Sequence, residues 1–166
     1  YRLNGVTQVV SPLEVHVFHN RLTHTLEVAQ IARRLAEKLN RDQGRIIKKL
    51  GGIDPDVVEA AALAHDLGHP PFGHIAEKEL DQLAKKYGEV DGFDGNAQSF
   101  RIVTRICAIR PAYSGLNLTR ATLNAILKYP WLRGSKTKDS KKHEKFGAYR
   151  TEKEYFKFAR FEYEGK

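Results

Sequence analysis

Three histidines and an aspartate are crowded into one short stretch, AHDLGHPPFGH, which covers residues 64–74. His65 and Asp66 are adjacent, His69 follows in the next turn, and His74 closes the stretch. Imidazole and carboxylate groups can bind a divalent cation or transfer protons. Taken alone, each of these residues could instead be an ordinary core or surface residue whose polar atoms are hydrogen-bonded. The choice between these interpretations depends on the elements that carry the residues.

His65 and Asp66 are expected near the end of a buried helix. Asp54 is predicted to cap that helix, with Pro55 at its first position, and the segment DVVEAAALAHDL is apolar enough to lie deep in the core. A buried carboxylate without a partner is costly, and a bound cation relieves that cost. Mixed imidazole and carboxylate ligation suits zinc, iron, manganese and similar ions, whereas the lack of clustered cysteines argues against structural zinc.

A second helix, predicted over residues 21–40, supplies a third candidate ligand. Apolar residues recur along it at spacings of three and four. His24 lies early in this helix, and we expect it to join the metal ligands. Arg21 lies one turn before it, where a guanidinium could neutralise a phosphate, with an ordinary surface arginine as the alternative.

The turn GHPPFG at residues 68–73 separates the first helix from another, IAEKELDQLAKKYG, whose apolar residues are expected to face the core. His74 stands at the start of this helix, and Glu77 follows three residues later on the same face. The carboxylate could therefore orient the imidazole for proton transfer, or remain a helix-surface group. His69, in the turn, could contact a phosphate or assist the leaving group, or simply bind backbone.

The remaining elements are predicted to be mainly helical. AQSFRIVTRICAI and RATLNAILKY have apolar faces, and only VTQVV and EVHVF have short β-like character. We expect the terminal aromatic residues to pack, Cys107 to be a small buried hydrophobe, and Asn96 either to cap a helix or, like Gln98, to orient other site groups. The chain begins and ends without clear boundaries, which suggests a longer native protein.

Length and composition indicate one domain covering residues 1–166 that does not cross a membrane. No apolar run approaches the roughly 20 residues that span a bilayer. The single cysteine and the lack of a signal-like start favour the cytoplasm. The net charge of +8 favours anionic partners. Several lysines lie close together in residues 134–145, and this segment is predicted to be a flexible basic loop or, alternatively, a contact for a polyanion.

Five stretches, in this order, resemble the deoxyguanosinetriphosphate triphosphohydrolase branch of the HD-domain phosphohydrolases, a family named after its adjacent His-Asp pair. The stretches are VTQVV, RLTHTLEVAQIARRLA, HDLGHPPFGH, FDGNAQSFRIV and GLNLTRATLNAILKYPW. The resemblance runs from near residue 1 to about residue 131 and more loosely to KFGAY. It implies an all-α HD-domain helical bundle, here the N-terminal portion of a larger α-helical protein.

The resemblance also implies a reaction and a ligand set. Family members split a deoxynucleoside triphosphate into deoxynucleoside and tripolyphosphate with a divalent metal such as Mn²⁺, Mg²⁺, Fe²⁺ or Ni²⁺. Two histidines and two aspartates hold that metal, which assigns His24, His65 and Asp66 as three of the four ligands. The fourth belongs to a later helix, so we expect it beyond residue 166.

Further roles are carried over from the same resemblance. It implies His74 and Glu77 as the catalytic pair, Gln8 as a contact to deoxyribose, and Val9 beside it against sugar or base. It also implies a homo-oligomer and an effector that is a nucleotide or single-stranded DNA. Two other functions remain open: hydrolysis of a different nucleotide phosphoester, and a nucleic-acid-binding or regulatory module with a vestigial site.

Overall fold

The computed structural model describes residues 3–6, 20–135 and 145–161. Within these ranges the regular elements are helical, apart from an isolated parallel bridge between Leu132 and Ala148, which confirms the predicted all-α fold. The α-helices there are α1 (Arg21–Lys49), α2 (Pro55–Ala64), α3 (Gly73–Lys86), α4 (Gly95–Arg101), α5 (Arg120–Ile126) and α6 (Lys153–Arg160). A π-helical turn (Ile102–Ile106) follows α4, and short 3-10 turns occupy Leu3–Gly5 and Arg150–Glu152. No described helix has the length and hydropathy needed to span a bilayer.

α1 begins where expected but runs past the predicted end at residue 40. Asn20 caps it by accepting a hydrogen bond from the Thr23 backbone N–H at 2.9 Å. The apolar spacing fades after residue 40, but the following residues still support a helix, with a local departure at Gln43 (φ −129°, ψ 24°). The helix stops at Lys49, before Gly51 and Gly52 take positive φ angles.

α2 begins as predicted, with Asp54 accepting from the Asp56 N–H at 2.8 Å and Pro55 in the first helical position. The helix ends at Ala64 with His65 as its C-cap, so His65 and Asp66 lie near its end, as expected. The expected deep burial is wrong: α1 and α5 pack against the helix, but most of its residues are half-buried and Leu63 is exposed.

The core forms where α2, α4, the π-helical turn, α5 and α6 meet. Its buried apolar side chains are Ala64, Phe100, Val103, Leu123, Ile126, Leu127, Ala148 and Ala159. Partly buried aromatic residues of α6 pack on it, and Trp131 packs on a smaller cluster formed by Ala97, Phe146 and Tyr149. The packing role predicted for the terminal aromatic residues therefore holds for Tyr155 and Phe156.

Other apolar residues were expected inside and are exposed. Phe158 and Phe161 lie on the surface, and Cys107 is only partly buried between the exposed Ile106 and Ile109. α3 differs most: its large apolar residues, including Ile75, Leu80 and Leu83, are exposed, and the buried residue of the helix is Glu77. The reason is that α3 turns its Glu77 side toward α4, where polar contacts hold it.

The turn after α2 lies directly against α4. A Cβ atom at Gly68 would lie 2.5 Å from the Gly95 carbonyl oxygen and closer still to the backbone nitrogen of Ser99. The Gly68 N–H donates to Ser99 Oγ at 2.9 Å, so the same approach is both close and hydrogen-bonded. A glycine is needed at position 68 because any side chain would meet backbone atoms, which cannot rotate away.

We expect Gly68→Ala to lower the melting temperature of the complete protein, because the methyl group must push α4 away at a cost of about 2–4 kcal/mol. Gly44→Ala is the matched control, since no atom lies within 4 Å of a Cβ there and alanine favours a helix by about 1 kcal/mol. Thermal unfolding of both variants checks the prediction. Equal melting temperatures for Gly68→Ala and Gly44→Ala would contradict the prediction.

Candidate metal and catalytic site

Two elements bring three candidate metal ligands together. His24 comes from the first turn of α1, and His65 and Asp66 come from the turn after α2. One ligand atom from each lies within 4.8 Å of the other two. Asp66 Oδ2 is 3.3 Å from His65 Nε2 and 3.8 Å from His24 Nε2, and the imidazole rings are tilted by 58° with centroids 5.4 Å apart. The three residues that the sequence singled out as ligands therefore converge.

The His65 ring is oriented by a backbone carbonyl of α2. Its Nδ1–H donates to the Ala62 carbonyl at 2.7 Å, which turns Nε2 toward the Asp66 carboxylate, 3.3 Å away. Metal-binding histidines are commonly held in this way, with the second ring nitrogen bonded to a carbonyl or carboxylate. The hydrogen bond with the Asp66 carboxylate raises the pKa of His65 above its ordinary value.

The donor set fits a divalent transition ion. Nitrogen and oxygen ligands bind such ions at about 2.0–2.2 Å, so neighbouring donor atoms around one ion lie roughly 3 Å apart. The His65–Asp66 pair is already close to that separation, and His24 needs to approach Asp66 by less than about 1 Å. Two imidazoles and one carboxylate match iron, manganese, nickel or zinc in ligand type.

His69 lies on the opposite side of Asp66. Its Nδ1 is 3.4 Å from Asp66 Oδ1, and this buried nitrogen makes no hydrogen bond to the part of the chain that is described. Burial lowers the pKa of His69, so the ring is neutral near pH 7. Its face packs on Gly95, where a Cβ atom would lie 2.8 Å from His69 Cδ2.

Arg21 is buried and directed at backbone carbonyls. Its guanidinium donates to the carbonyl oxygens of Asp66 and Pro70, each at 3.2 Å, and also to that of His69. The residue thus ties α1 to the turn that carries the candidate ligands. A direct phosphate contact by Arg21 stays a prediction, and these three contacts supply another role for the side chain.

His74 and Glu77 form the predicted pair. His74 Nδ1 donates to Glu77 Oε2 at 2.9 Å, with the His74 side chain 84% exposed and that of Glu77 only 7% exposed. Burial raises the pKa of Glu77, but hydrogen bonds from Lys145, His74 and the Gly95 N–H together lower it to about 2. Glu77 is therefore ionised near pH 7 and fixes the His74 proton on Nδ1.

Sequence reasoning missed two partners of Glu77. Lys145 Nζ donates to Glu77 Oε2 at 2.7 Å and lies 3.7 Å from Asp94 Oδ2, while the Gly95 N–H donates to Glu77 Oε1 at 2.8 Å. The sequence signal for Lys145 is that it begins KFGAY, a stretch included in the family resemblance. Because Lys145 and Glu77 are 68 residues apart in the sequence, no local pattern predicts that they pair. Asp94, rather than Asn96, caps α4, and the Asn96 amide donates to Asp94 Oδ1.

Some predicted residues fall outside the described ranges. Gln8 and Val9 belong to the segment 7–19, and most of the basic loop at 134–145 belongs to 136–144. Their roles remain predictions.

We expect Glu77→Gln to destabilise the complete protein at pH 7 by about 2 kcal/mol, because an amide loses the charge that three donors stabilise. The folded-state pKa of about 2 lies below that of an unfolded glutamate. The stabilisation of the folded state by the Glu77 charge is therefore present above about pH 4 and is lost as the pH falls toward 2. Melting temperatures measured against pH should converge for the two proteins in acid.

Glu79→Gln on the same helix is the control for this titration, since Glu79 is exposed. If the difference in melting temperature between wild type and Glu77→Gln stays constant down to pH 2, the charge of Glu77 does not stabilise the fold.

Comparison with known proteins agrees with the geometry. The HD domain family matches residues 21–110, which include His24, His65, Asp66 and the His74–Glu77 pair. Proteins named deoxyguanosinetriphosphate triphosphohydrolase-like are 51% identical over 142 residues in Streptomyces coelicolor and 45% identical over 152 residues in Corynebacterium efficiens. These alignments cover 81% and 89% of this chain but only 30% and 32% of the relatives, so the chain spans about a third of their length. A site built on an adjacent His-Asp pair, together with these matches, shows that the chain belongs to the HD-domain family.

Proposed function

We propose that this chain carries the catalytic centre of a metal-dependent phosphohydrolase that converts deoxynucleoside triphosphates to deoxynucleosides and tripolyphosphate. Membership of the HD-domain family supports a phosphohydrolase, and the names of the relatives point to a deoxynucleotide as substrate. In this reaction water adds to the α-phosphorus and the bond to the 5′-oxygen breaks. One proton from the water ends on that oxygen, and tripolyphosphate is the second product.

His24, His65 and Asp66 are the residues proposed to hold a divalent ion. A bound ion of this kind polarises a phosphoryl oxygen and lowers the pKa of water. Mn²⁺, Mg²⁺, Fe²⁺ and Ni²⁺ are the candidates. The fourth ligand that the family resemblance implies is proposed to lie outside residues 1–166.

His74 is proposed to carry the proton between water and the 5′-oxygen. Its Nδ1 is engaged by the ionised Glu77, so Nε2 is the atom that can accept and return a proton. The exposed imidazole leaves room for a substrate to approach. The hydrogen bond to the buried Glu77 carboxylate holds the orientation of the imidazole ring during the transfer.

Three other residues are proposed to assist. The neutral His69 ring lies beside Asp66, from where it could donate a hydrogen bond to a phosphate or to the leaving group. Gln8 and Val9 are proposed to contact the sugar and base, in line with the family resemblance. Arg21 is proposed to act chiefly through the carbonyls of the ligand-bearing turn.

One observation carries the proposal: a continuous run of contacts joins the candidate ligands to the candidate proton carrier. Asp66 lies 3.4 Å from the His69 ring, which packs on Gly95. Gly95 donates to Glu77, and Glu77 accepts from His74. This connection between the groups proposed to bind a cation and those proposed to move protons supports a single site for metal-assisted hydrolysis.

The assembly and its regulation are also proposals. A homo-oligomer and an effector that is a nucleotide or single-stranded DNA follow from the family resemblance. The net charge of +8 is compatible with either effector. A cytoplasmic location rests on the single cysteine.

We expect the complete protein, given Mn²⁺ or Mg²⁺ and each deoxynucleoside triphosphate in turn, to release tripolyphosphate and deoxynucleoside. Asp66→Ala should lose both bound metal and turnover, because it removes a proposed ligand. Product separation by ion-exchange chromatography distinguishes tripolyphosphate from pyrophosphate and phosphate. A folded, metal-loaded protein that releases no tripolyphosphate from any substrate would refute the proposed reaction and favour another phosphoester or a binding role.

We expect His74→Ala to lower kcat by about 10²- to 10⁴-fold, the usual loss when a proton-transfer group is removed. Its metal content should stay at the wild-type value, because His74 is not a proposed ligand. Glu79→Ala, on the same exposed helix, is the control and should retain wild-type turnover. Steady-state kinetics and metal analysis check both variants, and a wild-type kcat for His74→Ala would exclude its role.

A further inference from the structure

Gly95 is the first residue of α4 and touches both halves of the candidate site. On one side its N–H donates to Glu77 Oε1 at 2.8 Å. On the other side the His69 ring lies against its Cα, so that a Cβ atom would be 2.8 Å from His69 Cδ2, 2.9 Å from Cγ and 3.0 Å from Nε2. These separations are shorter than any ordinary contact between carbon atoms, which begins near 3.5 Å.

The requirement for glycine here comes from packing and not from the backbone. Gly95 is absent from the residues with positive φ, and it begins a helix that is properly capped by Asp94. Alanine is the best helix former and would be accepted by this backbone. The His69 ring is the group that occupies the space a methyl group would need.

The neighbouring contacts hold Gly95 in place. Ser99 Oγ lies 3.0 Å from the Gly95 carbonyl and receives the Gly68 N–H at 2.9 Å, so the backbone of α4 is tied to the ligand-bearing turn. The backbone of His69 is also held, since Arg21 donates to its carbonyl oxygen. The ring itself, whose Nδ1 makes no hydrogen bond to the described part of the chain, is what an added methyl group at Gly95 must displace.

We infer that Gly95 is a positioning residue: its bare Cα sets the place of the His69 ring while its N–H sets the carboxylate of Glu77. It thereby fixes the distance between the metal-binding half of the site and the His74–Glu77 pair. This inference rests on the proposed hydrolytic function for its kinetic consequence, but its geometric part stands independently. Misplacement of a reacting group by about 1 Å can lower a rate about 10²-fold.

The test is Gly95→Ala in the complete protein, made alone and together with His69→Ala. We expect the single variant to lose about 10- to 100-fold in kcat, with KM changed by less than about threefold and bound metal unchanged. In the His69→Ala background, Gly95→Ala should lower kcat by less than about threefold, because the ring that the methyl group displaces is absent. Gly44→Ala is the control for a glycine with open space around it and should leave kcat unchanged.

A merely structural role for Gly95 would give a different pattern. Gly95→Ala would then lose the same factor in kcat with and without the His69 ring, and this result would overturn the inference, as would a wild-type kcat for the single variant. If the single variant does not fold, recovery of folding in the double variant supports the clash with His69. Failure of both to fold overturns it.

A protein that hydrolyses no deoxynucleotide would refute the proposed function but would still test the inference. The crystal structure of Gly95→Ala then provides the measurement. A His69 ring displaced from its wild-type position, with α4 in place, supports the positioning role. An undisplaced ring overturns it.

Discussion

The close approach to α4 of the turn that carries His65 and Asp66 is the constraint on which the candidate site depends. The turn must leave α2, cross α4 and enter α3 while its buried carbonyl and amide groups keep hydrogen-bond partners. Gly68 allows the backbones to meet, Ser99 accepts its N–H, and Arg21 donates to the carbonyls of residues 66, 69 and 70. With the backbone held from two sides, His65 and Asp66 keep a fixed relation to His24.

A second constraint is electrostatic and centres on Glu77. A buried carboxylate is unfavourable unless several donors satisfy it. Lys145, His74 and the Gly95 N–H do so from three separate parts of the chain. These contacts hold the Glu77 side of α3 against α4, while Ile75, Leu80 and Leu83 of the same helix are exposed.

Much of the site could be predicted because its signals are local. The spacing of His74 and Glu77 on one helix face predicts their hydrogen bond, and the cap at Asp54 follows from residue type alone. The convergence of His24 with the His-Asp pair was also predicted from residue types and helix placement. The predicted burial of α2 and of the α3 apolar face was wrong, because periodicity shows that a face exists without showing what covers it.

The sequence by itself therefore determined the helical class, the main helix starts and the set of residues able to bind a cation or move a proton. These properties depend on side-chain type and on spacings of three or four residues. Only the tertiary structure decided that Lys145 and Gly95 hold Glu77, that Arg21 binds backbone carbonyls, and that Gly95 faces His69. Such contacts join residues 18 to 68 positions apart, and their formation depends on how helices pack, which no local pattern encodes.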